Sequence, residues 1–220
     1  MVPSRPRTPV LYLHGFASSP DSTKARFFGN RLAPRGVRLT TPDFNEPDFA
    51  TLTMSRMLDR LGTGIDAQGG RVTLMGSSLG GALAILGAAR YAEQVERLVL
   101  LAPAVMLAKP GHSLLPPERI EEWQRRGALP FFHYGYEEER LLNYEFYADS
   151  LRHDPFEVVF RQPTLIFQGM RDSIVDPASV ERFSSTRPNV TLSLLDDDHQ
   201  LMASLERMWE SVEDFLGLLD

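Results

Sequence analysis

Short apolar segments alternate with longer segments of helical periodicity along most of this 220-residue chain. The apolar segments are rich in Val, Leu and Ile, which is typical of buried strands. The predicted strands are residues 10–13, 37–41, 71–75, 95–102, 163–168 and 190–195. The predicted helices are residues 22–33, 52–62, 79–91, 177–185 and 203–219. This alternation predicts an α/β fold with a mostly parallel sheet flanked by helices.

One connection, at about residues 106–161, is much longer than an ordinary crossover between strands. It has a helical pattern at 116–126 followed by an aromatic-rich stretch. We expect it to form a small cap within a single domain of residues 1–220. Candidate substrate contacts are Phe131, Phe132 and Tyr136. The alternative, that these aromatic residues only pack the insertion onto the sheet, stays open because aromatic side chains are common in cores as well as in binding surfaces.

The composition narrows the class of protein. The net charge is −6, with no cluster of Lys or Arg, so we expect neither nucleic acid nor an anionic membrane as a partner. The apolar stretch 10–13 is too short for the core of a signal peptide, and a cytoplasmic location is expected. Cysteine is absent, which excludes disulfides, thiolate metal sites and a cysteine nucleophile.

The most informative motif is Gly76-Ser77-Ser78-Leu79-Gly80, which joins a predicted strand to a predicted helix. A G-x-S-x-G sequence in this context is typical of a nucleophile elbow, a sharp turn that exposes the central serine at the edge of the sheet. The flanking positions need glycine because the backbone approaches itself closely there. The motif therefore predicts Ser78 as a nucleophile.

A serine nucleophile needs a base and an acid that orients the base. In this architecture the acid precedes the histidine in the chain, and both follow strands. Asp172 follows the predicted strand 163–168, and His199 follows the last predicted strand. Asp176 is the alternative acid, but its position before Pro177 is typical of a helix N-cap.

The remaining histidines fit the base less well. His112, His133 and His153 lie in the insertion, and His14 ends the first strand. The acidic run 196–198 is interpreted as a solvated turn rather than a cation site.

Acyl transfer also needs N–H donors for the oxyanion. The expected donors are the backbone N–H groups of Leu79, at the start of the helix, and of Phe16, after the first strand. Gly15 permits the tight turn that would direct the second group.

These pieces resemble the serine hydrolases of the α/β-hydrolase fold. The segment 11–20 with Lys24-Ala25 and the doubled Ser77-Ser78 is similar to the small bacterial YqiA-type esterases. The resemblance implies an enzyme without metal or cofactor that hydrolyses a small ester or thioester through an acyl-enzyme. It implies Ser78, Asp172 and His199 as the triad. Two alternatives remain open: another acyl-transfer or C–C bond hydrolysis on the same triad, and a non-catalytic binding protein.

Overall fold

A six-stranded sheet forms the centre of the protein in the computed structural model, which describes residues 7–107, 109 and 115–219. In chain order the elements are β1 (Val10–Leu13), α1 (Thr23–Leu32), a 3₁₀ turn (Ala33–Arg35), β2 (Leu39–Thr40), α2 (Met54–Asp66), β3 (Val72–Ser77), α3 (Leu79–Arg90), β4 (Val95–Leu101), α4 (Pro117–Arg126), β5 (Ala128–His133), β6 (Glu138–Asn143), α5 (Glu145–Ser150), β7 (Thr164–Gly169), α6 (Pro177–Ser185), β8 (Val190–Leu195) and α7 (Leu205–Phe215). The α/β fold class predicted from the alternation of elements is confirmed.

The strand order of the large sheet is β2-β1-β3-β4-β7-β8, and every neighbouring pair is parallel. The chain moves outward from β1 to β2 and then returns to β3 on the other side of β1. The order therefore reverses between β1 and β3. In open parallel sheets ligands bind beyond the carboxyl ends of the strands at such a reversal. The loop after β1 and the elbow after β3 lie at this point.

Two buried layers cover the sheet because alternate residues of each strand point to opposite faces. Leu11 and Leu13 belong to a cluster that includes residues of α2, α3, α6 and the long connection after β4. Val10 and Tyr12 belong to the other cluster, with residues of α1 and α7. Both faces of the sheet are therefore covered by helices, which explains the nearly continuous apolar character of its inner strands.

The connection between β4 and β7, called the insertion below, contains α4, the antiparallel hairpin β5–β6 and α5. Its aromatic residues join the core next to α2 and α3, with Trp123 and Phe146 buried there. Backbone hydrogen bonds join the hairpin to two loops of the main sheet. Tyr134 N–H donates to the Ala17 carbonyl at 2.8 Å. The insertion thus contacts the loop that follows β1.

The structure differs from the predicted elements in three places. The strand predicted at 37–41 is only two residues long, Leu39–Thr40, and it lies at the edge of the sheet, where it pairs with β1. The hairpin β5–β6 and the helix α5 were not predicted. Residues 108 and 110–114, which include His112, lie outside the described residues. No helix within the described part of the chain combines the length and apolarity needed to cross a bilayer.

Candidate active site

Ser78 lies on a strained turn between β3 and α3. Its backbone has φ +53° and ψ −115°, a conformation that residues with a side chain rarely adopt. The turn is fixed on both sides of the serine. Ser78 N–H donates to the Leu101 carbonyl at 2.9 Å, and the Ser78 carbonyl accepts from Ala104 N–H at 3.0 Å. This is the geometry of a nucleophile elbow, as the G-x-S-x-G motif predicts.

The two glycines of the motif are required by close backbone contacts. A Cβ added at Gly76 would lie 2.2 Å from the Gly80 carbonyl oxygen. A Cβ added at Gly80 would lie 2.0 Å from the Leu13 carbonyl oxygen, at the end of β1. These distances leave no room for a methyl group. The elbow therefore packs closely against both α3, the helix that it starts, and the neighbouring strand β1.

The structure brings the three residues of the predicted triad into one line of hydrogen bonds. His199 Nε2 lies 3.1 Å from Ser78 Oγ. His199 Nδ1 lies 2.8 Å from Asp172 Oδ2. A carboxylate only accepts hydrogen bonds, so Nδ1 carries the ring proton and Nε2 is left to accept from the serine hydroxyl. This orientation is the one that general-base activation of a serine requires.

Asp172 is held rigidly, with its side chain fully buried. Gln168 Nε2 donates to the oxygen that also faces His199, at 2.9 Å. The other carboxylate oxygen accepts from Ile174 N–H and Val175 N–H, both at 2.8 Å. Burial alone would raise the pKa of Asp172, but the hydrogen bonds from His199 and from these two backbone groups outweigh it. The pKa of Asp172 therefore lies below the ordinary carboxyl value, and the group stays charged.

The rival acid and the rival bases have other partners. Asp176 caps α6, accepting a hydrogen bond from Ala178 N–H at 3.2 Å. His14 Nε2 accepts from Phe44 N–H at 3.2 Å. His133 and His153 contact Asn45 and Ser55 rather than Ser78. Among the described histidines, His199 alone makes a hydrogen bond to Ser78.

The loop after β1 lies against Ser78, with a Cβ added at Gly15 falling 3.7 Å from Ser78 Cβ. His14 Nδ1 donates to the Gly15 carbonyl at 3.0 Å, because its Nε2 already accepts from a backbone N–H. This bond fixes the peptide between Gly15 and Phe16. Since the peptide is planar and trans, its N–H, that of Phe16, points away from the Gly15 carbonyl and from His14. Neither Phe16 N–H nor Leu79 N–H has a hydrogen-bond partner among the described residues.

The three predicted substrate-contacting residues have different ring partners. Phe131 packs edge-on against Phe16, with ring centroids 5.5 Å apart. Phe132 points to the opposite face of β5, where it is half exposed and contacts Tyr134. Tyr136 stacks on His133 with centroids 4.0 Å apart. Of the three, Phe131 is the one with a ring contact to Phe16, in the loop of the candidate oxyanion hole.

The aromatic cluster on that loop includes Phe49, for which the sequence showed no functional signal, and Phe146, from the aromatic-rich stretch of the insertion. Phe16 also contacts Phe49 and Phe146, at centroid distances of 5.7 and 5.4 Å. Phe49 precedes α2 and Phe146 lies in α5. Aromatic side chains from three separate segments therefore surround Phe16.

The acidic run after β8 differs from the solvated turn that was predicted. Asp196 and Asp198 are exposed, but Asp197 is buried. Within the described residues, no group of three His, Asp or Glu side chains is arranged to hold a metal ion.

The sheet order and the elbow define a protein of the α/β-hydrolase fold. Est1E from Butyrivibrio proteoclasticus, solved with ferulic acid bound, aligns with a TM-score of 0.82 and 22% identity over 95% of this chain and 88% of that chain. The mouse alpha/beta hydrolase domain-containing protein 10 aligns with a TM-score of 0.80 and 22% identity over 96% and 90%. A monoacylglycerol lipase from Paleococcus ferrophilus aligns with a TM-score of 0.77 and 14% identity over 94% and 93%.

The family follows from the sequence itself. Residues 9–217 match the model of the uncharacterised protein family UPF0227, and the chain belongs to this family. The resemblance to YqiA-type proteins noted above is thereby confirmed. A search of curated protein sequences found no match.

Proposed function

We propose that this protein is a serine hydrolase that cleaves carboxylic esters or thioesters through an acyl-enzyme intermediate. The observation that carries the proposal is the continuous line of hydrogen bonds from Ser78 through His199 to Asp172. The structural neighbours include a monoacylglycerol lipase and other lipolytic enzymes, which supports the same class of reaction.

In the first half of the proposed reaction, Ser78 Oγ attacks the carbonyl carbon of the substrate while His199 Nε2 takes the hydroxyl proton. The imidazolium that forms is stabilised by the charged Asp172. The carbonyl oxygen becomes negative and accepts hydrogen bonds from Leu79 N–H and Phe16 N–H. His199 then gives its proton to the departing alkoxide or thiolate, the C–O or C–S bond breaks, and the acyl group remains on Ser78.

In the second half, water takes the place of the leaving group. His199 Nε2 accepts a proton from the water as its oxygen attacks the acyl carbon. Collapse of the second tetrahedral intermediate returns that proton to Ser78 Oγ and releases the carboxylic acid. All proton transfers in this scheme go through His199, so the proposal requires no metal or cofactor.

We propose that the substrate has an apolar acyl group. We also propose that the enzyme is a single domain whose insertion serves as a cap. The aromatic cluster around Phe16 supports both parts of this proposal, because Phe131 and Phe146 reach the candidate oxyanion loop from the insertion. Aromatic walls bind apolar groups through the large area that they bury.

The test is a panel of one acyl group presented as an ester, a thioester and an amide, followed by p-nitrophenyl esters from acetate to palmitate, all with EDTA present. We expect the wild type to hydrolyse esters and thioesters, and Ser78→Ala to lose that activity while keeping its fold. Equal turnover by the two proteins would overturn the role of Ser78. A folded wild type that hydrolyses no member of the panel would overturn the proposed function.

A further inference from the structure

A buried cation, Lys24, lies beside the loop that bears His199. It is the second residue of α1 and is only 9% exposed, which is unusual for a lysine. Its Nζ donates to the carbonyl oxygen of Gln200 at 2.9 Å. Gln200 directly follows His199, so α1 is joined to the His199 loop across 176 positions of sequence.

The peptide that Lys24 holds leads into a strained residue. Leu201 has φ +56°, in the left-handed region that a leucine rarely adopts. Its side chain is fully buried in the same cluster as Ala25 and Phe28 of α1. The Gln200 carbonyl belongs to the peptide whose nitrogen starts Leu201. The hydrogen bond from Lys24 holds the carbonyl side of this peptide, and Leu201 N–H, on its other side, donates to the Asp198 carbonyl at 3.3 Å. The two bonds together fix the peptide at the end of the turn that presents the imidazole.

The charge of Lys24 also balances the acidic side chains of the same loop. Asp197 is buried, and its Oδ2 has no hydrogen-bond partner within the described part of the chain. Burial lowers the pKa of Lys24 to about 8, and the negative charges of Asp198, Asp197 and Asp172 limit the decrease. The amine is therefore still protonated at neutral pH. Lys24 is the one buried Lys or Arg side chain among the described residues, so removing it would leave these three carboxylates without its compensating charge.

The exposed side of the loop has a separate restraint. Arg171 forms an ion pair with Asp196, and both side chains are largely exposed. Exposed pairs of this kind contribute little to stability. Lys24 is thus the better candidate for holding the histidine end of the loop.

We propose that Lys24 is a positioning residue: its ammonium group holds the Gln200 carbonyl and so keeps the His199 imidazole between Ser78 and Asp172. It contacts no reacting atom. The kinetic test of this inference rests on the proposed hydrolase function, whereas its hydrogen-exchange test rests on the loop geometry alone.

The absence of cysteine from the sequence allows the charge to be tested separately from the size of the side chain. Lys24→Cys is unfolded, alkylated at its one thiol and refolded. 2-Bromoethylamine restores an ammonium group on a side chain of lysine length. 1-Bromopropane gives a neutral side chain of the same length. Arg31→Cys, treated in the same two ways, is the matched control, because Arg31 lies on the same helix but its side chain is exposed and paired with Glu206.

The kinetic readout is kcat and KM for a p-nitrophenyl ester, corrected for the fraction of protein that a fluorophosphonate labels. Loss of a charged hydrogen bond predicts a kcat about tenfold to a hundredfold lower for the propylated form. KM should change less than about twofold because Lys24 does not reach the substrate. The aminoethylated form should regain the kcat of the wild type. The two Arg31→Cys products should not differ from each other.

The second readout is hydrogen exchange of the backbone amides of residues 196–202. We expect these amides to exchange at least about tenfold faster in the propylated form than in the aminoethylated form. Equal exchange and equal kcat in the two forms would overturn the proposal. If the wild type hydrolyses no ester, the proposed function fails while the exchange result still decides whether Lys24 holds the loop.

A variant that needs no refolding covers the case in which the alkylated chains do not fold. Lys24→Met keeps an unbranched side chain without charge, and it is compared directly with the wild type by the same exchange measurement. Faster exchange in residues 196–202 would support the proposal, and unchanged exchange would contradict it.

Discussion

Two clusters of a serine, a histidine and an aspartate lie in the described part of the chain, and they are arranged differently. In the first, Ser78 Oγ lies 3.1 Å from His199 Nε2. In the second, Ser55 Oγ in α2 lies 3.0 Å from Nε2 of His153, in the insertion. The serine–histidine distances are nearly equal. What separates the two clusters is the position of the acid.

In the first cluster the carboxylate contacts the histidine. In the second, Asp149 is hydrogen-bonded to the serine, accepting from Ser55 N–H at 2.7 Å and from the Ser55 hydroxyl at 2.8 Å. It also lies 3.6 Å from His153 Nε2, but this is the ring nitrogen that faces Ser55 and not the opposite one. The single hydroxyl proton of Ser55 is committed to the carboxylate, so His153 Nε2 must donate to Ser55 Oγ rather than accept from it. The second cluster therefore lacks the hydrogen-bond direction that general-base activation of a serine requires, which the first cluster has. Instead it joins the start of α2 to α5 of the insertion.

Perturbed acidity does not distinguish the two clusters either. Burial would raise the pKa of Asp149, but the hydrogen bonds from Ser55 and the charges of His153 and Arg152 outweigh it, and the pKa is lowered. The pKa of Asp172 is lowered for related reasons. In both clusters the lowered pKa reflects the hydrogen bonds to a buried acid, and the direction of those bonds decides what each cluster can do.

The largest expected effect comes from replacing each serine. Ser78→Ala should lower kcat for an ester by about 10⁵-fold or more, since it removes the proposed nucleophile. Ser55→Ala should leave kcat within about threefold of the wild type. Its effect should be a loss of about 1–3 kcal/mol in the free energy of unfolding, because Asp149 loses a hydrogen-bond donor. The measurements are steady-state hydrolysis and urea unfolding. A large kcat effect at Ser55 would refute the distinction drawn here.

Replacing the acid of each cluster should give the next largest difference in kcat between the two clusters. Asp172→Asn should lower kcat by about 10³- to 10⁴-fold with little change in KM, because the asparagine no longer holds the required tautomer of His199. Asp149→Asn should lower the free energy of unfolding by about 1–3 kcal/mol and change kcat less than tenfold. Both variants are compared in the same ester assay after their fold is checked by circular dichroism. Similar losses of kcat in the two would show that the position of the acid is not decisive.

A third comparison concerns the backbone at the two serines. Ser78 lies on a strained turn, whereas Ser55 lies in the first turn of an ordinary helix. Gly80→Ala should lower the free energy of unfolding by about 3 kcal/mol or more, or prevent folding, because its Cβ would overlap the Leu13 carbonyl. Gly70→Ala is the matched control, with no atom within 4 Å of the added Cβ. It should change stability by less than about 1 kcal/mol. Thermal unfolding measures both, and an equally stable Gly80→Ala would contradict the steric argument.

The aromatic residues of the insertion should give a smaller effect. Phe131→Ala should raise KM for long acyl chains by roughly tenfold and leave acetate unchanged, because an apolar wall is lost. Phe132→Ala, on the opposite face of the same strand, should leave KM for long acyl chains and for acetate within about twofold of the wild type. The measurement is KM as a function of acyl-chain length for the two variants and the wild type. If Phe132→Ala has the larger effect, the acyl group does not lie against the inner face of the hairpin.

The smallest effect is expected in the acid dependence of stability. Because the pKa of each acid is lower in the folded protein, each contributes stability above about pH 4 that is lost as the pH falls through the folded value. The free energy of unfolding should therefore fall less steeply with acid in Asp172→Asn and in Asp149→Asn than in the wild type. Urea titrations between about pH 2 and pH 6 measure the slope. If either variant lost unfolding free energy with pH as steeply as the wild type, the lowered pKa of the replaced acid would not be the cause.

Local sequence patterns were sufficient for the first cluster but not for the second. The elbow is encoded in five consecutive residues, and Asp172 and His199 each follow a strand, so chain order pointed to them. Ser55 and Asp149 are 94 positions apart and lie in no motif. The same limit applies to the Lys24 contact, since only the packing of α1 against the His199 loop brings the two together.

The hairpin of the insertion was missed for a related reason. In β6 four consecutive residues are exposed, so the strand lacks the alternation that marks a half-buried strand. The partner strand β5 includes Pro130, which local rules place outside a strand interior. Pairing between the two strands and contacts with the loops of the main sheet stabilise a hairpin that neither segment indicates alone. For the same reason Phe131 and Phe132 could not be assigned to opposite faces from sequence.

The most direct test of the central claim is covalent labelling with a fluorophosphonate, which reacts with a serine only where a base activates it. The wild-type protein is labelled, digested and analysed by mass spectrometry to locate the adduct. We expect one adduct, on Ser78, with Ser55 unmodified and no label in Ser78→Ala. An adduct on Ser55, or no adduct on the folded wild type, would contradict the proposal that the position of the acid makes Ser78 the nucleophile.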